Sequence, residues 1–427
     1  MDTETVILGG GISGIAANYF LGKDKAAIIY EQRDSMGGLC DNFSIGAFKF
    51  DTGIHLSFTS FKEVREVFDM TPYYTYSPEP MNYYKGLWLK QPIQNNLFPL
   101  TPEEKVKAVK DYIYKPVQAD DFENYKCWLY SKYGKYITEH FFLPYTEKYW
   151  CERAENMETS WIGNRLYLPE IDEVLYGAMS SATPNRYYAQ EMRYPKEGGY
   201  KAFLKPMLSK VNINLNKRAV KLDSSHKLVE FEDGSKVYYE NLISSLPLPA
   251  LIKIMKDVPS AVKEASENLS ATSLILISIG LNVPQDESKS IWFYIYDKDF
   301  LPARAYYPGL KSKSNIPSHQ SSLQFEIYYS RSKPLSMRKE ALAEHLIRVI
   351  EKLKLANRKD VLFVDIKNIP YANVIFDKKL YFNRNLVRQY LNNLGIQSIG
   401  RFGEWDYLWS DQSFMSGKKA AEKLLNM

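Results

Sequence analysis

The sequence has few cysteines, few histidines and no long apolar run. Its three cysteines, Cys40, Cys127 and Cys151, are odd in number and show no C-x-x-C spacing, which argues against a disulfide framework and a structural zinc site. No apolar stretch reaches the length of a membrane span, and the acidic N-terminus lacks the basic start and apolar run of a signal peptide. These absences predict a cytoplasmic protein without a membrane span.

Blocks of like charge are also absent. The 55 basic and 50 acidic residues give a formal net charge of +5 and are spread along the chain, so no basic tail indicates nucleic-acid binding. A mildly basic cleft for a small anion fits this balance. Tyrosine, in contrast, is abundant, since the chain has 33 tyrosines beside 7 tryptophans. Each buried tyrosine hydroxyl needs a partner, so this number favours a polar aromatic cleft in addition to a core.

The segment TVILGGGISGIAANYFLG has the pattern of a dinucleotide-binding βα turn. A short β-branched strand leads into Gly9, Gly11 and Gly14, and a helix rich in small residues follows. A second strand then ends at Glu31, about where a carboxylate binds the ribose hydroxyls in such domains. The glycines permit a tight turn and a close approach of a pyrophosphate to the helix N-terminus. An ordinary glycine-rich turn is the alternative, but it does not explain the spacing to Glu31.

The next segment, EQRDSMGGLC, discriminates between cofactors. It resembles the continuation of the glutathione-reductase-type FAD motif, with Arg33 followed by a glycine pair that ends at Gly38. FAD is therefore favoured over NAD, and Arg33 would bind phosphate or cap the adenosine side. Gly53 and His55 follow in FKFDTGIHLSF, where flavin oxidases and mutases of this superfamily approach the isoalloxazine ring. A structural role for His55 is an equally weighted alternative.

The C-terminal segment is predicted to complete the same domain. IQSIGRFGEWDYLWSDQSFMSGKKAAEKLL reads as a strand at 397–399, then Arg401 and an aromatic turn, then a helix from about Asp411. Small residues along this helix permit a close approach, and its N-terminal amides would face the flavin pyrimidine or the pyrophosphate. A simple amphipathic C-terminal helix is the alternative, although it does not explain the Gly-Arg-x-Gly-Glu run.

The segments between these ends predict the domain organisation. Residues 61–195 contain helical patterns, including a capping box at Thr101 and Glu104, and predict a mainly helical substrate or nucleotide domain. Residues 266–384 alternate in strand-like fashion and predict a mixed β-sheet substrate domain. The remaining residues form a discontinuous FAD-binding domain, namely 1–60, 196–265 and 385–427.

The predicted fold class is therefore α/β. It consists of a discontinuous Rossmann-like FAD-binding domain of the glutathione-reductase type, with a helical insertion and a mixed antiparallel sheet.

Further landmarks resemble the UDP-galactopyranose mutase family, within the FAD-dependent amine oxidase and protoporphyrinogen-oxidase-like proteins. PYTEKYW is similar to the mutase segment Tyr-Thr-x-Lys-x-Trp, and GRFGEWDY is similar to the stretch Gly-Arg-x-Gly-Glu-Tyr-x-Tyr. NRLYLPEIDEVLY, YPKEGGYKAFLKPML and IPYANVIFD resemble three further segments. After Tyr407 the chain departs from the family, because LWSDQSF replaces Tyr-Asp-Met-His and is closer to the oxidase-like branch.

The resemblance implies a set of site residues. The predicted catalytic residues are Arg165, Arg304 and His55, with Arg331 as the reserve for the second diphosphate-binding arginine. The predicted cofactor contacts are Gly9, Gly11, Gly14, Glu31, Arg33, Gly38, Gly53, Arg401 and Asp411. The predicted substrate contacts are Tyr145, Thr146, Trp150, Tyr176, Tyr371 and Tyr407. No metal site is predicted.

The stretch FFLPYTEKYW, residues 141–150, is accordingly divided between core and site. Phe141 and Phe142 are predicted to pack in the core, and Pro144 is predicted to break or kink the preceding helix. Tyr145, Thr146 and Trp150 are assigned to the wall of a nucleotide site.

The resemblance also implies a reaction. A mutase of this kind interconverts the pyranose and furanose forms of a nucleotide sugar, with no net redox change, through attack of N5 of reduced FAD on the anomeric carbon. The implied substrate is UDP- or dTDP-linked, the reductant is NAD(P)H or another donor, and the context is polysaccharide biosynthesis; a homodimer is compatible. The runner-up is an FAD-dependent oxidoreductase of the amine oxidase or protoporphyrinogen oxidase type. A non-enzymatic flavin-binding protein is the least favoured class.

Overall fold

The computed structural model describes residues 2–22, 26–116 and 122–426. Within these ranges the chain forms eighteen strands: β1 (Asp2–Leu8), β2 (Ala27–Tyr30), β3 (Asn42–Ile45), β4 (Phe48–Asp51), β5 (Tyr73–Tyr76), β6 (Met81–Tyr84), β7 (Leu87–Lys90), β8 (Met192–Pro195), β9 (Ile213–Asn214), β10 (Ala219–Asp223), β11 (Leu228–Phe231), β12 (Lys236–Ser244), β13 (Ser273–Leu281), β14 (Trp292–Ile295), β15 (Arg304–Tyr306), β16 (Ser321–Tyr329), β17 (Val361–Ile369) and β18 (Ile396–Ser398).

The same ranges contain fourteen α-helices: α1 (Ile12–Leu21), α2 (Lys62–Phe68), α3 (Pro102–Ile113), α4 (Tyr125–Ile137), α5 (Leu143–Tyr149), α6 (Ile171–Met179), α7 (Lys205–Leu208), α8 (Leu248–Ile254), α9 (Ser260–Glu267), α10 (Pro308–Lys311), α11 (Lys339–Lys352), α12 (Leu380–Asn393), α13 (Gly400–Gly403) and α14 (Ser410–Leu425). A π-helical turn, Thr138–Phe142, joins α4 to α5. None of the described helices is long and apolar enough to cross a membrane.

The first sheet is parallel at its centre and is built from separated parts of the chain. β1 pairs in parallel with β2 on one side and with β12 on the other, and β18 pairs in parallel with the end of β12. β9 extends the sheet beyond β2, while β10 and β11 form an antiparallel meander with the start of β12. The carboxyl ends of β1, β2 and β12 therefore lie side by side, which is where open α/β sheets bind ligands.

The first and last long helices pack closely against each other beside this sheet. A Cβ on Gly14 of α1 would lie 2.1 Å from the carbonyl oxygen of Gly9, and a Cβ on Gly417 of α14 would lie 2.1 Å from the carbonyl oxygen of Ser13. Neither position has room for a side chain, so glycine permits both backbone contacts. The predicted α/β class, with the N-terminal motif completed by the C-terminal helix, is confirmed.

The second sheet has the strand order β17-β13-β16-β15-β14-β6-β7 and is antiparallel except where β14 pairs with β6. Its β6–β7 hairpin comes from 61–195, the segment predicted to be mainly helical, and so does β5, which pairs with β8 in a separate two-stranded sheet. These short tyrosine-rich strands gain their partners from β14 and from β8, which are distant in sequence, so local pattern did not reveal them. The domain boundaries given above remain a prediction.

The helical segment lies between the two sheets. Its α3 begins at the predicted capping box, where Glu104 N donates to Thr101 Oγ1 at 3.3 Å and Thr101 N donates to Glu104 Oε2 at 3.2 Å. The largest buried cluster includes Leu8 of β1, Tyr133 of α4 and Trp405, so one core joins the first sheet to the helices. A further cluster fills the space between the second sheet and α11.

The capping box gives a stability prediction. We expect Thr101→Ala to lower the free energy of unfolding by about 1 kcal/mol, because it removes the oxygen that satisfies the Glu104 amide. Chemical denaturation measures the change, and Lys107→Gln, on an exposed position of the same helix, is the matched control. Equal stabilities for the two variants would contradict the capping role.

Candidate functional site

A trough opens at the carboxyl ends of β1 and β2. Gly11 and Glu31 line it, with Gly38 on its other side. Gly11 is the N-cap of α1 at φ −74°, and a Cβ built there would meet no protein atom within 4 Å. No side chain among the described residues caps α1. The first amides of the helix therefore face open space, an arrangement that suits a phosphate group.

Glu31 lies at the end of β2, where its carboxylate was predicted. Its Oε2 accepts from Gly10 N at 2.7 Å, and its Oε1 accepts from Arg33 N at 2.9 Å. The Arg33 guanidinium donates to Gly38 O at 3.2 Å and lies 3.6 Å from Asp41 Oδ2. Arg33 therefore holds the glycine pair in place, and its charge faces a carboxylate of the protein.

Two glycines line the trough at points where separate backbone segments lie close together. Gly9 has φ +98°, and a Cβ on it would lie 2.3 Å from Ser245 Oγ. Gly38 has φ +60°, and a Cβ on it would lie 3.1 Å from Gly11 Cα. The two glycine-containing segments thus approach each other with their backbones across the trough. The donor set and the space left by Gly11 fit a dinucleotide.

The C-terminal segment forms the far wall of the trough. Arg401 donates from Nη2 to Asn373 Oδ1 at 2.6 Å and from Nη1 to Leu408 O at 3.3 Å. It lines both the trough and the chamber that follows it. Asp411 is buried in the first turn of α14, where its Oδ1 accepts from Gln412 N at 2.8 Å.

The predicted cofactor contact of Asp411 is therefore not supported. Ser410 and Ser413 line the trough at this helix, because they occupy the face that turns towards α1. Aspartate at the first turn still complements the positive end of the α14 dipole.

A chamber lies between the trough and the second sheet. Gly53 and His55 line it as predicted, with Gly53 at φ +113° and the His55 ring 5.1 Å from the Tyr200 ring. Burial lowers the pKa of His55 to about 4, although the nearby Asp51 carboxylate opposes the shift. His55 is therefore neutral at pH 7, and it offers a hydrogen-bonding group instead of a cation.

Arg304 lies at the junction of this chamber with a further cleft. It forms an ion pair with the buried Glu326, and its Nη2 donates to Tyr328 Oη at 3.3 Å. Arg304 lines both cavities, as expected for a group that reaches towards a ligand between them. The reserve candidate, Arg331, lies elsewhere, since its Nη2 donates to Glu267 O at 3.0 Å on the surface.

The cleft is walled by aromatic side chains from α5 and β14. Tyr145 stacks on Tyr149 at a centroid distance of 5.8 Å and meets Tyr296 at 5.1 Å. Trp150 packs against Tyr407 at 5.1 Å. The cleft is lined by Tyr145, Thr146, Tyr149, Trp150, Trp161, Arg165, Tyr294, Tyr407 and Trp409, among others. The structure therefore brings together three of the predicted wall residues and three further predicted site residues, Arg165, Arg304 and Tyr407.

Thr146 has a structural role within this wall. Its Oγ1 donates to Phe142 O at 2.7 Å, four residues earlier in the helix. Phe141 is fully buried, and Phe142 is part-buried and stacks on Tyr133 at 4.3 Å. The predicted break at Pro144 takes the form of the π-helical turn, after which α5 continues.

Arg165 crosses the cleft from its own loop to the C-terminal segment. Its Nη1 donates to Trp161 O at 2.7 Å and its Nη2 donates to Tyr407 O at 2.8 Å. The guanidinium also lies 4.8 Å and 4.9 Å from the ring centroids of Tyr407 and Trp409. Carbonyls and rings orient the guanidinium but leave its net charge in place, so this site attracts an anion.

Tyr407 connects the cleft to the chamber. Its hydroxyl lies 3.0 Å from that of Tyr149, and both Arg165 and Arg401 approach its ring to 4.8 Å. Burial raises the pKa of Tyr407, so its hydroxyl keeps its proton. Two guanidiniums, one facing each cavity, are thus held by one aromatic ring.

Two predicted substrate residues lie outside the cleft. Tyr176 is 50% exposed on α6, because the buried face of that helix packs Gly177 against the backbone of Asn95. Tyr371 lines the trough instead, and its ring lies 5.8 Å from that of Phe402. The predicted substrate contacts of both residues are therefore not supported.

Several lining residues were not predicted from the sequence. Tyr187 and Tyr188, immediately before β8, line both cavities, and Tyr188 stacks on Trp409 at 5.7 Å. Two adjacent tyrosines in a chain rich in this residue were the sequence feature that could have indicated these lining residues. Glu326 gave no signal, since its ion-pair partner Arg304 lies on another strand.

Residues 7–71 match the model of the NAD(P)-binding Rossmann-like domain family. The chain is 42% identical over 55 residues to all-trans-retinol 13,14-reductase of Danio rerio, a match that covers 13% of this chain and 9% of that protein. The matched part thus spans less than a tenth of that relative. The family model covers residues 7–71 only, and the match to the relative covers 55 residues only.

Solved structures extend the likeness to the whole chain. A crystal structure of reduced UDP-galactopyranose mutase superposes with a TM-score of 0.94 at 22% identity, covering 100% of this chain and 94% of that one. A structure assigned to protoporphyrinogen oxidase from Exiguobacterium sp. 255-15 superposes with a TM-score of 0.77 at 14% identity, covering 100% of each chain. The chain therefore has the fold of UDP-galactopyranose mutase, as its sequence landmarks predicted.

Proposed function

We propose that this protein is a flavin-dependent mutase that interconverts the pyranose and furanose forms of a nucleotide sugar without net redox change. The observation that carries the proposal is the Arg165 guanidinium, which neutral acceptors hold at the wall of an aromatic cleft. The cleft shares Arg304 and Tyr407 with a chamber that in turn opens onto the dinucleotide trough. This order of sites supports the proposal, because a nucleotide sugar in the cleft would lie next to the flavin end of a dinucleotide in the trough.

FAD is the proposed cofactor, with NAD(P)H or another donor as its reductant. The α1 N-terminus beside Gly11 would hold the pyrophosphate, Glu31 would meet the ribose, and Arg401 would lie at the flavin end. When bound and reduced, FAD supplies the nucleophile for the sugar C1.

The chain's own residues would bind and orient the sugar diphosphate. The leaving diphosphate carries concentrated negative charge, so Arg165 and Arg304 on adjacent parts of the cleft would stabilise it. Tyr149 and Tyr407, with paired hydroxyls, would donate to phosphate or sugar oxygens, and Tyr145 and Trp150 would pack against the nucleoside. Closely packed rings exclude water from the reacting sugar.

An FAD-dependent oxidoreductase is the second candidate, and the lining of the chamber favours it. Phe58, Met192, Leu274 and Trp292 give this cavity an apolar side, which would accept a less polar substrate than a sugar. The departure from the mutase pattern after Tyr407 places Trp409 at the same junction. This candidate needs an electron acceptor but no pair of diphosphate-binding arginines.

The glycines of the trough give a cofactor prediction. We expect Gly11→Ala to abolish FAD binding while the apoprotein still folds and loses only about 1 kcal/mol of stability for alanine at the N-cap, since the added Cβ meets only the open space of the trough. Gly14→Ala is the contrasting variant, and it should destabilise the apoprotein itself because its Cβ collides with Gly9 O. Flavin absorbance per protein and melting of the apoprotein measure the two effects. A Gly11→Ala protein with full flavin content would contradict the assignment.

The reaction depends on the redox state of the cofactor. Dithionite-reduced protein is expected to convert UDP-galactopyranose or a related UDP- or dTDP-linked sugar into its furanose form, and oxidised protein is not. Chromatography of the nucleotide sugars measures the conversion. Flavin turnover with no ring isomerisation of any of these sugars would refute the mutase proposal and favour the oxidoreductase.

The guanidinium of Arg165 gives a binding prediction. Arg165→Ala should weaken UDP binding by roughly ten-fold or more, because a charged hydrogen bond to phosphate is lost. Calorimetry with the FAD-loaded protein measures the affinity. Arg153→Ala is the control, since Arg153 is an exposed arginine that pairs with Glu155 outside the cleft. Unchanged UDP affinity in Arg165→Ala would remove Arg165 from the clamp.

A further inference from the structure

Glu326 is a buried carboxylate between the chamber and the aromatic cleft. It lies on β16 directly across from Arg304 on β15, as a cross-strand pair. Its side chain is 1% exposed, and it lines the chamber beside His55. A charge this deeply buried requires several partners to offset its desolvation.

Three donors from three different elements satisfy this carboxylate. Arg304 Nε and Tyr328 Oη both donate to Oε2, the latter at 2.6 Å, while Ile54 N donates to Oε1 at 3.2 Å. The bond from Ile54 ties the Gly53–His55 loop to the same group. Glu326 is therefore fixed in place and cannot follow Arg304 if the guanidinium turns towards a ligand.

The two arginines of the cleft consequently differ in their electrostatics. Arg165 is held by carbonyls and rings, whereas Arg304 already faces a full negative charge. A phosphate that binds Arg304 must share it with Glu326, so the carboxylate reduces the attraction of this side of the cleft for anions. The same carboxylate fixes the orientation of the Arg304 guanidinium.

We propose that Glu326 is a positioning residue that orients Arg304 and lowers the affinity of the cleft for the nucleoside diphosphate. The inference rests on the proposed function in that the anion is a diphosphate. A weaker hold on the departing diphosphate permits it to return to the sugar after ring closure or to leave as part of the product. The fixed orientation of Arg304 favours turnover, and the negative charge of Glu326, which partly compensates that of Arg304, limits the affinity for the diphosphate.

The test is Glu326→Gln in the FAD-loaded protein, with UDP and inorganic pyrophosphate as probes. Glutamine keeps the shape but removes the charge, so both probes should bind about ten-fold more tightly. The turnover number of the reduced protein should fall, because Arg304 loses its fixed direction. If Glu326 had a merely structural role, Glu326→Gln would bind both probes more weakly and would also have a lower turnover number. That result would overturn the proposal.

Tyr328→Phe tests the same carboxylate without changing any charge. The hydroxyl donates to Glu326 and also accepts from Arg304 Nη2, so its loss removes a competing partner from both groups. The pairing of Glu326 with Arg304 therefore strengthens, and UDP should bind more weakly. Glu191→Gln is the matched control, since Glu191 pairs with Arg193 at 2.6 Å and is half-exposed outside the cleft. It should leave UDP binding unchanged.

The outcomes separate this inference from the proposed function. Tighter UDP binding in Glu326→Gln supports the inference even where the reduced protein isomerises no sugar. Normal isomerisation by wild type with equal or weaker UDP binding in Glu326→Gln overturns the inference alone. Absence of UDP and pyrophosphate binding to wild type overturns both. Should Glu326→Gln fail to fold, an affinity in Tyr328→Phe equal to or tighter than that of wild type would overturn the proposal.

Discussion

The close crossing of the first and last long helices is the constraint on which the site depends. Gly14 and Gly417 let the backbone of α1 contact the Gly9 turn on one side and α14 on the other. Because of this contact, Arg401 and Ser410 reach the trough that the N-terminal motif opens. A side chain at Gly417 would push α14 away from α1 and separate the two halves of the trough, whereas a side chain at Gly14 would push α1 away from the Gly9 turn.

The sequence predicted the features whose causes are local. The turn glycines, the carboxylate at Glu31 and the capping box at Thr101 all follow from spacings within one local motif, and Tyr145 and Trp150, assigned by the resemblance, line the cleft. Features that depend on the register of distant strands were not predicted. Glu326 meets Arg304 only because β15 and β16 pair in one register.

The positions of Tyr176 and Tyr371, which lie outside the cleft, have a related cause. Tyr176 was assigned by order along the chain, but the helix that carries it is rotated by the contact of Gly177 with another backbone, and the ring turns to solvent. Tyr371 follows β17 and faces the trough, because the end of that strand lies beside the C-terminal segment. Order and residue type identify candidates, while packing decides which cavity each one faces.

The π-helical turn before α5 sets the rotation of the aromatic wall. One residue more than an α-helical turn is fitted in at Thr138–Phe142, and one residue corresponds to about 100° around a helix. Phe141 is fully buried, while Tyr145 and Tyr149 on the following helix line the cleft. Deletion of a single residue from this turn would rotate every ring of α5 by about 100° relative to α4, with the chemical composition of the wall almost unchanged.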